Sequence, residues 1–156
     1  MEKIDVRYVA GLFDGEGSAG IYPQKDCFKY SCTLGQADIG DNSPILNELC
    51  NYYGGKVFPS PNRRPKKSKK NMYVWYLNKG DEALQFLKEI YPHLRIKQRE
   101  VDLTIKFIEL CGEQREGKKR PRKLKKQQRL DRFDLYTQFL DVRDGQNGGI
   151  AGIRNE

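Results

Sequence analysis

Apolar and polar positions along the chain fall into short blocks of two kinds. Val6, Val9 and Phe13 recur at helical spacing, with Tyr8 and Leu12 on a second side. This predicts a helix from Asp5 to about Asp14, with Asp5 as its N-cap and Gly15 and Gly17 as its stop. Ala19 to Tyr22 and Phe28 to Leu34 read as two strands around a turn at Pro23-Gln24-Lys25-Asp26. Asn42-Ser43-Pro44 places a cap residue before a proline at the first helical position. The helix it starts runs through Ile45, Leu46, Leu49 and Tyr52 to Gly54-Gly55. Lys56 to Phe58 and Met72 to Leu77 form a second strand pair, with Trp75 read as core. Between them the loop Pro59 to Asn71, with three prolines and six basic residues, is long for a hairpin and is a functional candidate. Asp81 caps a helix to Ile90, which Pro92 ends, and another helix covers Gln98 to Cys111. After a basic linker, Gly112 to Arg122, a last amphipathic helix includes Leu130, Phe133, Leu135, Tyr136, Phe139 and Leu140. Gly145 onward reads as a tail. The order α-ββ-α-ββ-α-α predicts an α+β fold with an antiparallel sheet.

Charge changes the picture from fold to partner. The chain has 156 residues, enough for one domain with a core, and a net charge of +8. Arg63 to Lys70 and Arg115 to Arg132 together carry +14, so the remainder carries −6. Such local basicity points to a polyanion. No apolar stretch reaches membrane-spanning length and no secretory signal is visible, so an intracellular protein, in cytoplasm, nucleoid or organelle, is expected. Cys27, Cys32, Cys50 and Cys111 form no C-x-x-C pair and have only His93 to help, which argues against zinc and for mostly buried free thiols.

The first helix is unusual. It is apolar on nearly every side, whereas a surface helix needs one stripe. Ala10 and Gly11 are small enough to admit a second backbone. The run Val9-Ala10-Gly11-Leu12-Phe13-Asp14-Gly15-Glu16-Gly17 resembles the LAGLIDADG motif of the homing endonucleases. Ala10, Gly11, Leu12, Asp14 and Gly17 match; Val9, Phe13 and Glu16 are conservative replacements, and Gly15 replaces alanine. The resemblance implies an αββαββα fold over roughly residues 4 to 111, with a curved sheet forming a DNA saddle. Residues 1–112 would be the endonuclease core, 113–144 a basic linker and helix, and 145–156 a tail.

Phosphodiester hydrolysis needs an activated water and neutralised phosphate charge. One histidine gives little scope for this, while a divalent ion held by carboxylates does both. Magnesium takes one or two carboxylates plus waters, so one acid per subunit suffices. The resemblance implies that Glu16 is that catalytic, metal-binding acid, that Gly15 offers its carbonyl, and that Asp14 is structural. It implies Mg²⁺ as cofactor, with Mn²⁺ or Ca²⁺ able to occupy the site in vitro. Lys97, in Leu94-Arg95-Ile96-Lys97-Gln98-Arg99, corresponds to a lysine contacting the hydrolytic water. Gln36 corresponds to a solvent-positioning glutamine, with Asp38 as the alternative. One motif copy implies a homodimer packed through Val9, Ala10, Gly11 and Leu12.

Strand alternation assigns the reading face. Counting by two from Glu16 gives Ser18, Gly20, Tyr22, Gln24 and Asp26; Lys29, Ser31 and Thr33 share a face on the next strand, and Lys56 begins the third. These side chains suit base edges. Arg63, Arg64, Lys66, Lys67, Lys69 and Lys70, with Lys118, Lys119 and Arg120, suit phosphates. The expected activity is therefore that of an intron-encoded, homodimeric, Mg²⁺-dependent endonuclease. It would cut both strands of a long, near-palindromic double-stranded DNA site and leave short 3′ overhangs. An RNA splicing maturase or a non-cleaving binder on the same scaffold is the alternative. An unrelated basic RNA-binding protein would leave the two-sided apolar helix unexplained.

Overall fold

Asp5 starts the first helix as its composition predicts: its carboxylate accepts from the backbone N–H groups of Arg7 (3.0 Å) and Tyr8 (3.3 Å). In the computed structural model, which describes residues 4–25, 27–37, 43–60, 72–114 and 124–151, the order is α1 (Val6–Glu16), β1 (Gly17–Gln24), β2 (Cys27–Ala37), α2 (Pro44–Tyr53), β3 (Lys56–Ser60), β4 (Met72–Leu77), α3 (Gly80–Ile90), a 3₁₀ turn (Tyr91–His93), α4 (Gln98–Glu113) and α5 (Lys126–Ala151). The strands form one antiparallel sheet in the order β1-β2-β4-β3. The α+β architecture and element order are those expected from the sequence. Asp26, Asp38, Arg63, Arg64, Lys66, Lys67, Lys69, Lys70, Lys118, Lys119 and Arg120 lie outside the described residues.

The chain divides into two compact units, Met1–Ala19 with Ser31–Ile96, and Gly20–Tyr30 with Lys97–Glu156. The first unit is organised around aromatic rings. Trp75 meets Phe86 edge to face at 4.9 Å between centroids, and Phe86 meets Tyr53 at 5.0 Å and Phe13 at 5.6 Å in the same manner. Trp75 is fully buried, and its Nε1 donates to the Gly54 carbonyl at 2.9 Å. That carbonyl is reached because Gly54 and Gly55 both adopt positive φ, at 84° and 83°. A Cβ on Gly55 would meet the Tyr76 carbonyl at 2.6 Å. The Tyr53 hydroxyl donates to Glu89 at 2.7 Å, and burial together with that carboxylate pushes its pKa up.

In the second unit α4 supplies Leu103, Phe107 and Cys111 and α5 supplies Phe139, closing over Ile21 of the first hairpin. Phe28, Tyr30, Leu135, Tyr136 and Val142 extend this cluster. All four cysteines are free thiols; Cys32 and Cys111 are buried, and burial raises the Cys32 pKa.

Several boundaries differ from the sequence expectation. Helix α1 continues through Gly15 to Glu16, because Gly15 keeps helical geometry. Gly17 ends it with φ of −85°, which any residue can adopt. What requires glycine at that point is the Phe13 ring, which occupies the space of a Cβ. Helix α3 starts two residues earlier than Asp81 would place it; Lys79 is the N-cap, and Asp81 and Glu82 fill the first turn, where acids suit the helix dipole. Strand β2 extends to Ala37, and α5 continues past Gly145 to Ala151. Leu130 and Phe133, expected on an apolar face, are exposed.

Candidate metal and nucleic-acid site

The C-terminal end of α1 concentrates negative character. Carbonyls of a last helical turn have no following helical N–H to accept, so partial negative charge accumulates there. Gly15 and Glu16 stand in that turn, both exposed. Among the described residues no hydrogen bond or ion pair engages the Glu16 carboxylate. Nor do three acidic, cysteine or histidine side chains converge anywhere among them. A cation on one chain would therefore take Glu16, helix-end carbonyl oxygen and water. Such hard oxygen donors suit magnesium or calcium better than softer metals.

Asp14 faces another way. Its two carboxylate oxygens accept from the backbone N–H groups of Arg95 (2.7 Å) and Ile96 (3.3 Å). This resolves the electrostatic difficulty of an acid near a helix C-terminus, since two N–H dipoles offset the unfavourable end. It also fixes the segment leading directly into Lys97. Lys97 itself is half-buried and precedes α4, with its carbonyl accepting from the Val101 N–H at 3.0 Å. The acid associated with it is Glu100, whose carboxyl burial holds above its ordinary value, with Lys97 and Arg143 pulling it down.

Register places Gln36 opposite Tyr73, in the row that also holds Pro59. Paired residues of an antiparallel sheet share a face. Gln36 is therefore on the same face as the core row Leu34–Trp75–Val57. The opposite face carries Thr33–Tyr76–Lys56, Gly35–Val74–Phe58 and Ala37–Met72–Ser60. Lys29, Ser31 and Thr33 alternate along β2 with Phe28, Tyr30, Cys32 and Leu34, of which Cys32 and Leu34 are buried. Ser18, Tyr22 and Gln24 on β1 are exposed or half-buried.

Sequence counting missed Val74 and Tyr76, because the parity of β4 is legible only once its partner is known; Phe58 shares the face of Lys56, two residues before it. Phe58 is 51% exposed, an unusual position for that side chain. Gly20 is a correction in the other direction. It is buried, and a Cβ there would meet the Phe139 ring at 2.8 Å, so it offers no reading position.

The expected contact surface of α1 also needs correction. Val9 and Ala10 are 0% exposed within the chain, so neither has surface to give a second copy. Successive helical residues are rotated by about 100°. The open stripe is therefore Tyr8, Gly11, Leu12 and Gly15, at spacings of three and four. Nothing lies within 4 Å of a Cβ on Gly11 or Gly15.

The strand order and the helix arrangement match solved structures. The chain has the LAGLIDADG fold. The archaeal intron-encoded homing endonuclease I-Vdi141I, complexed with DNA, aligns at 15% identity over 87% of this chain and 82% of that one, with a TM-score of 0.64. The LAGLIDADG meganuclease I-AabMI, bound to uncleaved DNA, aligns at 18% identity over 85% of this chain and 44% of that one, with a TM-score of 0.63. The homing endonuclease I-CvuI, in complex with its target in the presence of calcium, aligns at 19% identity and a TM-score of 0.50; 67% of this chain spans 66% of that one, just under two thirds of its length. No protein-family model and no curated protein matches the sequence. Among the described residues no helix is long and apolar enough to cross a membrane.

Proposed function

We propose that the protein is a homodimeric, site-specific DNA endonuclease that uses Mg²⁺ and cuts both strands of a long duplex site, leaving short 3′ overhangs. The observation that carries this reading is the end of α1, where an exposed carboxylate and helix-end carbonyls meet on a LAGLIDADG fold. A divalent ion bound there would neutralise phosphate charge and make a bound water more acidic. Glu16 and the Gly15 carbonyl would hold it. Asp14 acts one step back, as a positioning residue, by fastening the segment that precedes Lys97. Lys97 and Gln36 would orient the attacking water and hold its hydrogen-bond network. Ser18, Tyr22, Gln24, Lys29, Ser31, Thr33 and Lys56 would address the groove, with Phe58, Val74 and Tyr76 added by register. The basic stretch from Arg63 to Lys70 and the segment with Lys118, Lys119 and Arg120 would hold phosphates.

The dimer reading rests on the single copy of the motif in this sequence and on the open stripe on α1. A chain carrying one Glu16 supplies one acid, and two strands need two. Packing the Tyr8, Gly11, Leu12 and Gly15 stripes about a two-fold axis would bring a second Glu16 alongside the first.

Incubation with a randomised duplex library and Mg²⁺, followed by sequencing of cut ends, tests the reading. Recovery of a discrete site is expected. Glu16→Gln should abolish cutting while duplex binding stays within about threefold, since the side chain keeps its shape and loses its charge. Cutting by Glu16→Gln at the unsubstituted rate would remove the assignment.

A further inference from the structure

Outside the site at α1, the C-terminal unit holds a cation whose donors are only partly used. Arg132, on α5, is 6% exposed. Its guanidinium carbon lies 6.0 Å from the centroid of the Phe107 ring, and its Nε donates to Gln114 Oε1 at 2.8 Å. That bond fixes the amide, because only the oxygen of Gln114 can accept it. The Gln114 Nε2 is thereby turned away, and it is buried with no hydrogen-bond partner.

No carboxylate among the described residues pairs with Arg132. What remains unused is a set of donors alone: the Gln114 amide and the terminal nitrogens of the guanidinium. A buried cation without counter-charge is costly, and so is a buried N–H without an acceptor. A planar guanidinium held by its Nε is pre-oriented for bidentate contact with an oxyanion. Lys125, Lys126 and Arg129 are exposed at the start of α5, one to two turns before Arg132. They would draw a polyanion to that end of the helix.

We propose that Arg132 and Gln114 form a preorganised seat for one phosphate group, occupied by a backbone phosphodiester of the bound nucleic acid. The source of that phosphate rests on the DNA-binding reading above; the seat itself does not.

The isosteric variant Gln114→Glu tests both parts, because it supplies the missing anion from within. The first arm measures thermal midpoints of the full chain in inorganic phosphate against chloride at matched ionic strength. Phosphate should raise the midpoint of the unsubstituted protein, and the increment should vanish in Gln114→Glu and shrink in Arg132→Lys, which keeps charge but loses the fork. Equal increments in all three proteins would overturn the seat. Gln114→Glu should itself melt no lower in chloride, which separates loss of the site from loss of folding.

The second arm measures duplex affinity across a salt series. Gln114→Glu should weaken binding about tenfold and reduce the slope of log affinity against log salt by about one. Unchanged affinity and slope, alongside an intact phosphate response in the first arm, would overturn nucleic acid as the source. A protein that responds to phosphate yet binds no duplex would overturn the DNA-binding reading and leave the seat standing.

Discussion

Asp14 stands where a carboxylate is electrostatically unfavourable, within the last turn of α1. It is kept there by the N–H groups of Arg95 and Ile96, more than 80 positions further along the chain. Asp14→Ala should therefore destabilise the protein by about 1–3 kcal/mol, since it strips acceptors from two N–H groups at once. Urea unfolding measures this directly, and a change within 0.5 kcal/mol would argue that water replaces the carboxylate without loss. Gly17 gives a second test at this scale. Its φ is ordinary, but a Cβ collides with the buried Phe13 ring. Gly17→Ala should cost about 1–3 kcal/mol by overpacking; a neutral substitution would mean that the ring has room to tilt. The two carboxylates of the motif were legible in the sequence as a pair. Their different roles were not, because the partners of Asp14 are remote in the chain and Glu16 has none among the described residues.

At the scale of elements, periodicity located every helix and strand of the first unit, because each buries one face and so carries its own period. Ends were less legible. Lys79 caps α3 without a side-chain hydrogen bond, and α5 continues through Gly145. Strand parity was legible for β2, where Cys32 and Leu34 alternate with Lys29, Ser31 and Thr33. In β4 nearly every residue is apolar or aromatic, so only pairing with β2 and β3 reveals which face each occupies. That pairing makes Gly35–Val74–Phe58 an apolar row on the open face. An apolar row in a major groove is matched by thymine methyl groups. Once the cut site is known, replacing a contacted thymine by deoxyuridine should weaken binding about fourfold, equivalent to about 0.8 kcal/mol for one buried methyl. Phe58→Ala should make the protein indifferent to that replacement. Equal sensitivity of both proteins at every thymine would place this row away from the bases.

At the scale of the whole molecule, the proposed dimer rests on the open stripe Tyr8–Gly11–Leu12–Gly15. Gly11 is open in the single chain, with nothing within 4 Å of a Cβ. Gly11→Phe should therefore leave the fold of one chain intact while blocking close approach of a second helix. Sedimentation should then give a monomer at concentrations where the unsubstituted protein is a dimer, with double-strand cutting lost. A monomeric unsubstituted protein that still cuts both strands would sink the dimer. By itself the sequence determined the order of elements, the concentration of basic charge in two stretches, and the presence of two acids at a glycine-rich helix end. These are local properties, set by side-chain period, turn chemistry and composition. Tertiary structure alone decided that Val9 and Ala10 face inward, that Asp14 holds a distant backbone segment, that Val74 lies on the open face, and that Arg132 is buried beside Gln114. Each of these depends on which remote residue fills the space opposite, and local sequence does not encode that.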